Sequence, residues 1–217
     1  QRGMQKNIEE ALLRIACSLE RLAPPPAAPA DLGHGPAFRW NGVTIQAVAH
    51  PNALPLDRFA GVEQQMEALS RNIAALRKGA PAHDMLLWGT RGMGKSSLVR
   101  AISVALGVAI VEAGADQLAT LPLLFESLAP VPRPFVLFLD DLAFTATGPD
   151  VRALRSLLDG GIAERPANVR LAVPSNHRHL IERPPTESRH QRDTSDDQLA
   201  LVDRFGLVLG FHAPDQD

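Results

Sequence analysis

The sequence predicts an α/β domain with a doubly wound parallel sheet, and three observations support that fold class. Short apolar runs of strand length alternate with stretches of helical periodicity, which is the pattern of parallel strands joined by helices. Residues 135–139 are apolar throughout, as expected for a strand that helices cover on both faces. Residues 85–88 are also apolar, and they lead through a glycine-rich turn into a helical pattern.

Composition limits the classes of protein that this chain can represent. Its 217 residues are 45% hydrophobic with a formal net charge of −2, which suits the core of one domain and gives no overall basic field for nucleic acid. Nucleic-acid binding would therefore need a local patch. Cys17 has no cysteine partner, which favours a reducing cytoplasm. No run approaches ~18 apolar residues, and the N-terminus has no signal-like apolar stretch, so no membrane contact is expected.

Residues 1–55 divide into three parts. Apolar residues at helical spacing predict an amphipathic helix within residues 1–23, which either packs on its own domain or binds a partner or a second copy. Residues 24–37 are rich in proline and alanine and predict an extended linker. Residues 38–55 form a lead-in segment, in which Asn41-Gly42 favours a small hairpin.

The main domain is predicted over residues 56–217. Its strands are expected at residues 85–88, 108–111, 135–139, 169–173 and 207–211. Its helices are expected at residues 62–76, 96–105, 118–128, 149–158 and 199–205, the third of them broken by Pro122. Residues 182–198 are polar and charged and predict a mobile surface loop.

A phosphate-binding motif follows the first strand of this domain. Gly89, four further residues, Gly94, Lys95 and Ser96 fit the P-loop pattern, and chance gives about one such match in a thousand chains of this composition. Glycines let successive N–H groups point inward, and the helix N-terminus adds its positive dipole end. The predicted nucleotide-binding residues of this loop are Gly89, Thr90, Arg91, Gly92, Met93, Gly94, Lys95, Ser96 and Ser97.

Lys95 and Ser96 have separate expected roles in this loop. Lys95 would reach the β- and γ-phosphates, and it is expected to pack against little else in the free protein. The Ser96 hydroxyl would ligate Mg²⁺.

Two aspartates follow the apolar run at residues 135–139. Phosphoryl transfer needs Mg²⁺ held against the phosphates, and an acid at the end of such a strand is placed to hold it. We expect Asp140 to act on Mg²⁺ through a coordinated water and Asp141 to polarise the attacking water. Glu112 is the next acid to consider for the second role. Ordinary turn or helix capping is the alternative for both aspartates.

Taken together, several segments resemble the AAA+ ATPases. Leu56-x-x-Phe59-Ala60-Gly61 is similar to the segment that this superfamily places beside adenine. Residues 89–96 resemble its Walker A motif and residues 135–141 its Walker B motif. Asn176, after the strand at residues 169–173, resembles sensor 1, and Arg204 lies in a sequence similar to the box that carries an arginine finger. Over residues 38–211 the overall similarity is greatest to a bacterial AAA+-like family catalogued as a domain of unknown function. Residues 139–144 are similar to the replication-initiator and helicase-loader branch.

The resemblance implies a P-loop sheet of five strands in the order 5-1-4-3-2, with ATP and Mg²⁺ as cofactors. It implies ATP hydrolysis coupled to remodelling of an unidentified protein client. Asn176 would position water and the γ-phosphate, and Arg204 would act on a neighbouring subunit, so a homo-oligomer is expected with nucleotide bound. The alternative for Arg204 is a salt bridge with Asp203 or a nearby acid.

Two departures from the AAA+ pattern keep other functions open. AAA+ enzymes more often have Glu at the position of Asp141, and the sequence stops at Asp217, where a helical lid would follow, so no lid is expected. Both features favour a nucleotide-dependent switch or scaffold with little turnover. A helicase-loader-like ATPase of DNA replication is the third possibility.

Overall fold

A seven-stranded sheet forms the centre of the computed structural model, which describes residues 5, 11–15, 18, 30–140, 142, 149–159, 165–176 and 200–212. The strands are β1 (Ala37–Trp40), β2 (Ile45–Val48), β3 (Met85–Gly89), β4 (Ala109–Gly114), β5 (Phe135–Asp140), β6 (Val169–Ser175) and β7 (Leu207–Phe211). Their order across the sheet is β2-β1-β4-β5-β6-β3-β7. All neighbours are parallel except β1 and β2, which form an antiparallel hairpin.

The predicted order of the five core strands is confirmed. Numbered from β3 along the chain, the order β7-β3-β6-β5-β4 is 5-1-4-3-2. The sheet has seven strands rather than five because the predicted hairpin also forms and β1 pairs with β4. At its turn, Asn41 Oδ1 accepts hydrogen bonds from the N–H groups of Val43 and Thr44 at 3.0 and 2.8 Å. Gly42 there has a φ of 94°, a conformation that suits glycine.

Helices cover both faces of the sheet. They are α1 (Glu63–Arg77), α2 (Lys95–Ala105), α3 (Leu121–Leu128) and α4 (Pro149–Leu158), with 3₁₀ turns at Leu56–Arg58 and Ala115–Thr120. The prediction that Pro122 breaks this helix is wrong. Pro122 lies in the first turn of α3, where N–H groups have no intrahelical acceptor, so the proline costs the helix no hydrogen bond.

The core has two layers, because successive side chains of a strand point to opposite faces. Val136 and Phe138 of β5 pack with residues of α1 and α2, such as Ile73 and Leu98. The alternate residues of β5 belong to the other cluster, with Leu124 of α3 and its neighbours. Burying each such leucine or phenylalanine stabilises the fold by about 1.5 to 3 kcal/mol. The predicted doubly wound α/β class is therefore confirmed.

The N-terminal segment is described only in part. Residues 11–15 are helical, as predicted, and Leu12, Leu13 and Ile15 are exposed there. The residues of the predicted amphipathic helix other than 5, 11–15 and 18, residues 24–29 of the predicted linker and the surface loop at residues 182–198 lie outside the described residues. Within the described part, no helix has both the length and the apolar character needed to cross a membrane.

Candidate functional site

The P-loop joins the end of β3 to the start of α2. Gly92 and Gly94 have φ values of 85° and 78°, so both occupy the left-handed conformation that the loop needs. Gly94 caps α2 at its N-terminus. Gly89 faces a different constraint, since a Cβ there would collide with the carbonyl oxygen of Phe211 in β7. Gly92 and Gly94 thus allow the loop to bend, and Gly89 allows β3 to pack closely against β7.

A cavity of about 440 Å³ lies over this loop, at the carboxyl ends of β3, β5 and β6. That edge is where open parallel sheets bind ligands. Its lining residues are Arg91, Gly92, Met93, Gly94, Lys95, Ser96, Ser97, Asp140, Leu142, Pro174 and Asn176. The structure therefore brings together residues of the predicted Walker A segment, Asp140 and Asn176, which are far apart in the sequence.

Lys95 is held inside this site, contrary to the expectation that it would pack against little else. It is only 5% exposed. Its Nζ donates hydrogen bonds to the carbonyl oxygens of Gly89 and Thr90 at 2.8 and 2.9 Å, and to Oδ1 of Asn176 at 3.1 Å. Burial lowers the pKa of the Lys95 ammonium below its ordinary value. Because the ammonium is desolvated, the three acceptors compensate for the water that it has lost.

The oxygen-bearing side chains of the cavity suit Mg²⁺. Ser96 and Asp140 both line it and supply hydroxyl and carboxylate oxygens, the ligand types that Mg²⁺ prefers. No cluster of three or more potential metal ligands occurs among the described residues. In nucleotide sites Mg²⁺ is usually held by one or two side chains together with water and phosphate rather than by a protein cage. Asp141, the predicted water-polarising residue, lies outside the described residues.

Arg100 on α2 is a charged neighbour of Asp140 that the sequence reasoning did not identify. Its Nη2 lies 2.8 Å from Oε1 of Glu112 and 3.8 Å from Oδ2 of Asp140. Its guanidinium carbon lies 5.1 Å from the centroid of the Phe138 ring. Glu112, the second candidate for polarising water, is thus engaged by Arg100 and does not line the cavity. The only sequence signal was an arginine within the helix that follows the P-loop.

The predicted adenine segment lies beside the P-loop. A Cβ on Gly94 would stand 3.7 Å from the Phe59 ring, so the two residues are neighbours. Gly61 has a φ of 74°, and its N–H donates to Oε1 of Glu63 at 2.9 Å. Phe59, Ala60 and Gly61 are outside the lining of the phosphate cavity.

Arg204 is paired within its own chain. Its Nε donates to Oδ1 of Asp159, and its Nη1 donates to the carbonyl oxygen of Ala200 at 2.7 Å. The acid is Asp159, which follows α4, rather than the adjacent Asp203. Arg204 does not line the cavity of its own P-loop.

Comparison with known proteins gives one family and several structural likenesses. No curated protein matches the chain. Among solved structures, a RuvB Holliday junction branch migration motor from Thermotoga maritima is 24% identical, with a TM-score of 0.46, and the match covers 72% of this chain and 47% of that one. A lysine-to-arginine variant of this RuvB is 22% identical with a TM-score of 0.45 and the same coverage. The chain thus spans about half the length of these RuvB chains. A family profile described as "Protein of unknown function (DUF815)" matches residues 33–217, and the chain therefore belongs to the DUF815 family.

Proposed function

We propose that this DUF815 protein binds ATP with Mg²⁺ and hydrolyses it to remodel a protein client. The observation that supports the proposal most directly is a single cavity lined by the P-loop, Asp140 and Asn176, with Lys95 bonded to Asn176 inside it. A P-loop alone binds phosphate. A carboxylate for the metal and an amide at the end of a neighbouring strand are what phosphoryl transfer requires in addition.

Phosphate binding begins with the loop and Lys95. Backbone N–H groups and the N-terminus of α2 attract the phosphates. Lys95 then exchanges some of its present acceptors for phosphate oxygens. Its carbonyl acceptors lie within the loop itself, so a short movement of Nζ suffices and Lys95 stays buried.

The metal and water roles fall to Ser96, to Asp140 at the end of β5 and to Asp141 after it. Bound Mg²⁺ would supply positive charge that offsets the charge of the phosphates during phosphoryl transfer. Ser96 and Asp140 would hold it, Asp140 through water. Asp141 would accept hydrogen bonds from the attacking water, and Asn176 would orient that water and the γ-phosphate. Phe59, Ala60 and Gly61 would contact the adenine.

Arg204 completes the proposal by acting on a neighbouring subunit in a nucleotide-bound homo-oligomer. A guanidinium carries a permanent charge and a planar set of donors that match phosphate oxygens. For this role Arg204 must leave Asp159.

A switch or scaffold with little turnover is the second candidate function. It is favoured by the pairing of Arg204 with Asp159, which keeps the guanidinium within its own chain. In that function, nucleotide binding alone would change the affinity for the client. A helicase-loader-like role in DNA replication remains a third hypothesis, and salt-dependent DNA binding would test it.

The proposed ATPase is tested by pairing a binding assay with a turnover assay. Fluorescent ATP is titrated with Mg²⁺ and with EDTA, and phosphate release is then measured for the parental chain and Asp141→Asn. We expect both proteins to bind ATP and only the parental chain to hydrolyse it, because polarising water matters in the transition state. Binding without turnover in the parental chain would favour the switch, and no binding would refute both candidates.

The client can be sought once these properties are known. Asp141→Asn, if it binds ATP without turnover, serves as bait in affinity capture with ATP present. The same capture without nucleotide is the control, because a client of a nucleotide-driven remodeller should depend on the bound state.

A further inference from the structure

Four charged side chains of alternating sign form a row that reaches the cavity. Arg39 of β1 lies 3.8 Å from Glu112 of β4, measured from Nη2 to Oε2. The other carboxylate oxygen of Glu112 accepts a hydrogen bond from Arg100 of α2 at 2.8 Å. The same nitrogen of Arg100 is 3.8 Å from Oδ2 of Asp140. Of these four residues, Asp140 lines the phosphate cavity.

The strand register fixes this row. Arg39 pairs with Glu112, and Glu112 pairs with Phe138, so these side chains lie beside one another on the face that α2 covers. Asp140 follows Phe138 by two residues and shares its face. The Arg100 guanidinium lies over the Phe138 ring in a cation–π contact, and the Arg100 side chain is only 22% exposed. Arg100 is thus held between two carboxylates rather than moving freely in solvent.

We propose that Arg100 is a positioning residue that competes with Mg²⁺ for the Asp140 carboxylate, and that Glu112 limits this competition by holding the guanidinium. The inference rests on the proposed function, because it takes Asp140 as the Mg²⁺ carboxylate. Arg100 is closer to Glu112 than to Asp140, so most of its charge is compensated by Glu112. Mg²⁺ bound near Asp140 would experience the remaining charge as repulsion.

The two partners therefore have opposite effects on the Mg²⁺ requirement. Arg100→Gln removes the competing cation and should lower the Mg²⁺ concentration for half-maximal nucleotide binding by about threefold or more. Glu112→Gln leaves Arg100 with Asp140 as its nearest carboxylate and should raise that concentration by a similar factor, roughly threefold. In this proposal Glu112 acts through Arg100, so the double variant should behave like Arg100→Gln, whereas independent effects of the two charges would largely cancel and leave the parental value.

Binding of a fluorescent ATP analogue, followed by anisotropy while Mg²⁺ is raised from zero in EDTA, measures this requirement without turnover. Arg100→Lys keeps the charge and should stay near the parental value. Arg71→Gln is the matched control, because Arg71 forms an exposed ion pair with Glu67 at 3.5 Å. Thermal unfolding confirms that each variant is folded. If Arg100→Gln does not fold, the Mg²⁺ requirement is compared among the parental chain, Glu112→Gln and Arg100→Lys.

The outcomes separate this inference from the function on which it rests. Opposite shifts for Arg100→Gln and Glu112→Gln, together with a double variant that behaves like Arg100→Gln, support it, and a double variant near the parental value overturns it. If the parental chain binds the nucleotide with a clear Mg²⁺ dependence and both variants show the same dependence, this inference alone is overturned. Shifts in the same direction overturn it as well, because they indicate general damage to the site. A parental chain that binds no nucleotide at any Mg²⁺ concentration overturns the proposed function and this inference together.

Discussion

Lys95 Nζ donates a hydrogen bond to Oδ1 of Asn176 at 3.1 Å and so joins the P-loop directly to the end of β6. The two residues are 81 positions apart in the sequence. They meet because β3 and β6 are adjacent parallel strands, with Trp88 opposite Ser175 in the register. We therefore expect a change in the position of Lys95 on nucleotide binding to alter this hydrogen bond to Asn176, in addition to the role in orienting water that we propose for Asn176.

Lys95→Met should abolish nucleotide binding and also destabilise the chain. The methionine keeps the buried aliphatic stem but leaves two loop carbonyls and the Asn176 amide without their donor. Loss of these bonds should lower the free energy of unfolding by about 1 to 3 kcal/mol. Urea unfolding and fluorescent ATP titration measure the two effects. Lys78→Met is the matched control, since Lys78 is an exposed lysine at the end of α1. Retained ATP affinity in folded Lys95→Met would refute the P-loop assignment.

The stability contribution of Lys95 should depend on pH. Burial lowers its pKa in the folded chain below the ordinary value of 10.5, to which it returns on unfolding. Between these two values the unfolded chain binds more protons, so the free energy of unfolding rises with pH through that window. Below the folded pKa, the full cost of burying the ammonium is present. The parental chain should therefore gain stability relative to Lys95→Met as pH approaches about 10.5. Urea unfolding at several alkaline pH values measures the difference, and a constant difference would contradict the prediction.

Asn176→Ala should separate binding from turnover. The P-loop and Lys95 remain, so ATP binding should change little, whereas the amide that we propose orients the water is lost. We expect kcat to fall by roughly 10²-fold with a small change in KM. Steady-state phosphate release gives both quantities. An equal loss of affinity and rate would instead show that Asn176 acts mainly by holding Lys95 in place.

Gly89→Ala should be far more damaging than the same change at Gly79. At Gly89 the new Cβ would meet the carbonyl oxygen and the carbonyl carbon of Phe211, the latter at 2.9 Å, so β3 and β7 must separate. Gly79 also has a positive φ, of 68°, but a Cβ there meets nothing within 4 Å. We expect a loss of about 3 kcal/mol or more at Gly89 and about 1 kcal/mol at Gly79, judged from the costs of overpacking and of a strained backbone. Thermal and urea unfolding of the two variants compare these values, and equal losses would show that the strands adjust.

The main part of this fold could be predicted from the sequence because the signals for it were local or came from a family pattern. The glycine-rich loop, the apolar strand before Asp140 and the hairpin turn at Asn41 each depend on residues adjacent in the chain. The interactions that it missed depend on distant pairs. The contacts of Arg100 with Glu112 and Asp140 require the register of β4 and β5 and the rotation of α2 about its axis. The burial of Lys95 requires Asn176 to lie opposite the loop, which no local pattern reveals.

The last prediction is that Arg204 works on a neighbouring subunit once Asp159 releases it. An exposed ion pair of this kind is worth about 0 to 1 kcal/mol, a small barrier compared with the gain from placing a guanidinium on a transferring phosphate. Arg204→Ala and Lys95→Met subunits should each be inactive alone. Mixed, they should recover part of the turnover, because an intact P-loop can then meet an intact arginine across the interface.

Asp159→Asn sharpens this test, because it weakens the contact that holds Arg204 without altering the P-loop. Specific activity should then rise at low protein concentration, where few neighbours are present to draw the arginine away. Asp203→Asn is the control, since Asp203 is adjacent to Arg204 but is not its partner in the structure. If subunits demonstrably exchange and the mixture stays inactive, Arg204 serves only its own chain, and its pairing with Asp159 is then a structural contact between α4 and the segment that leads into β7.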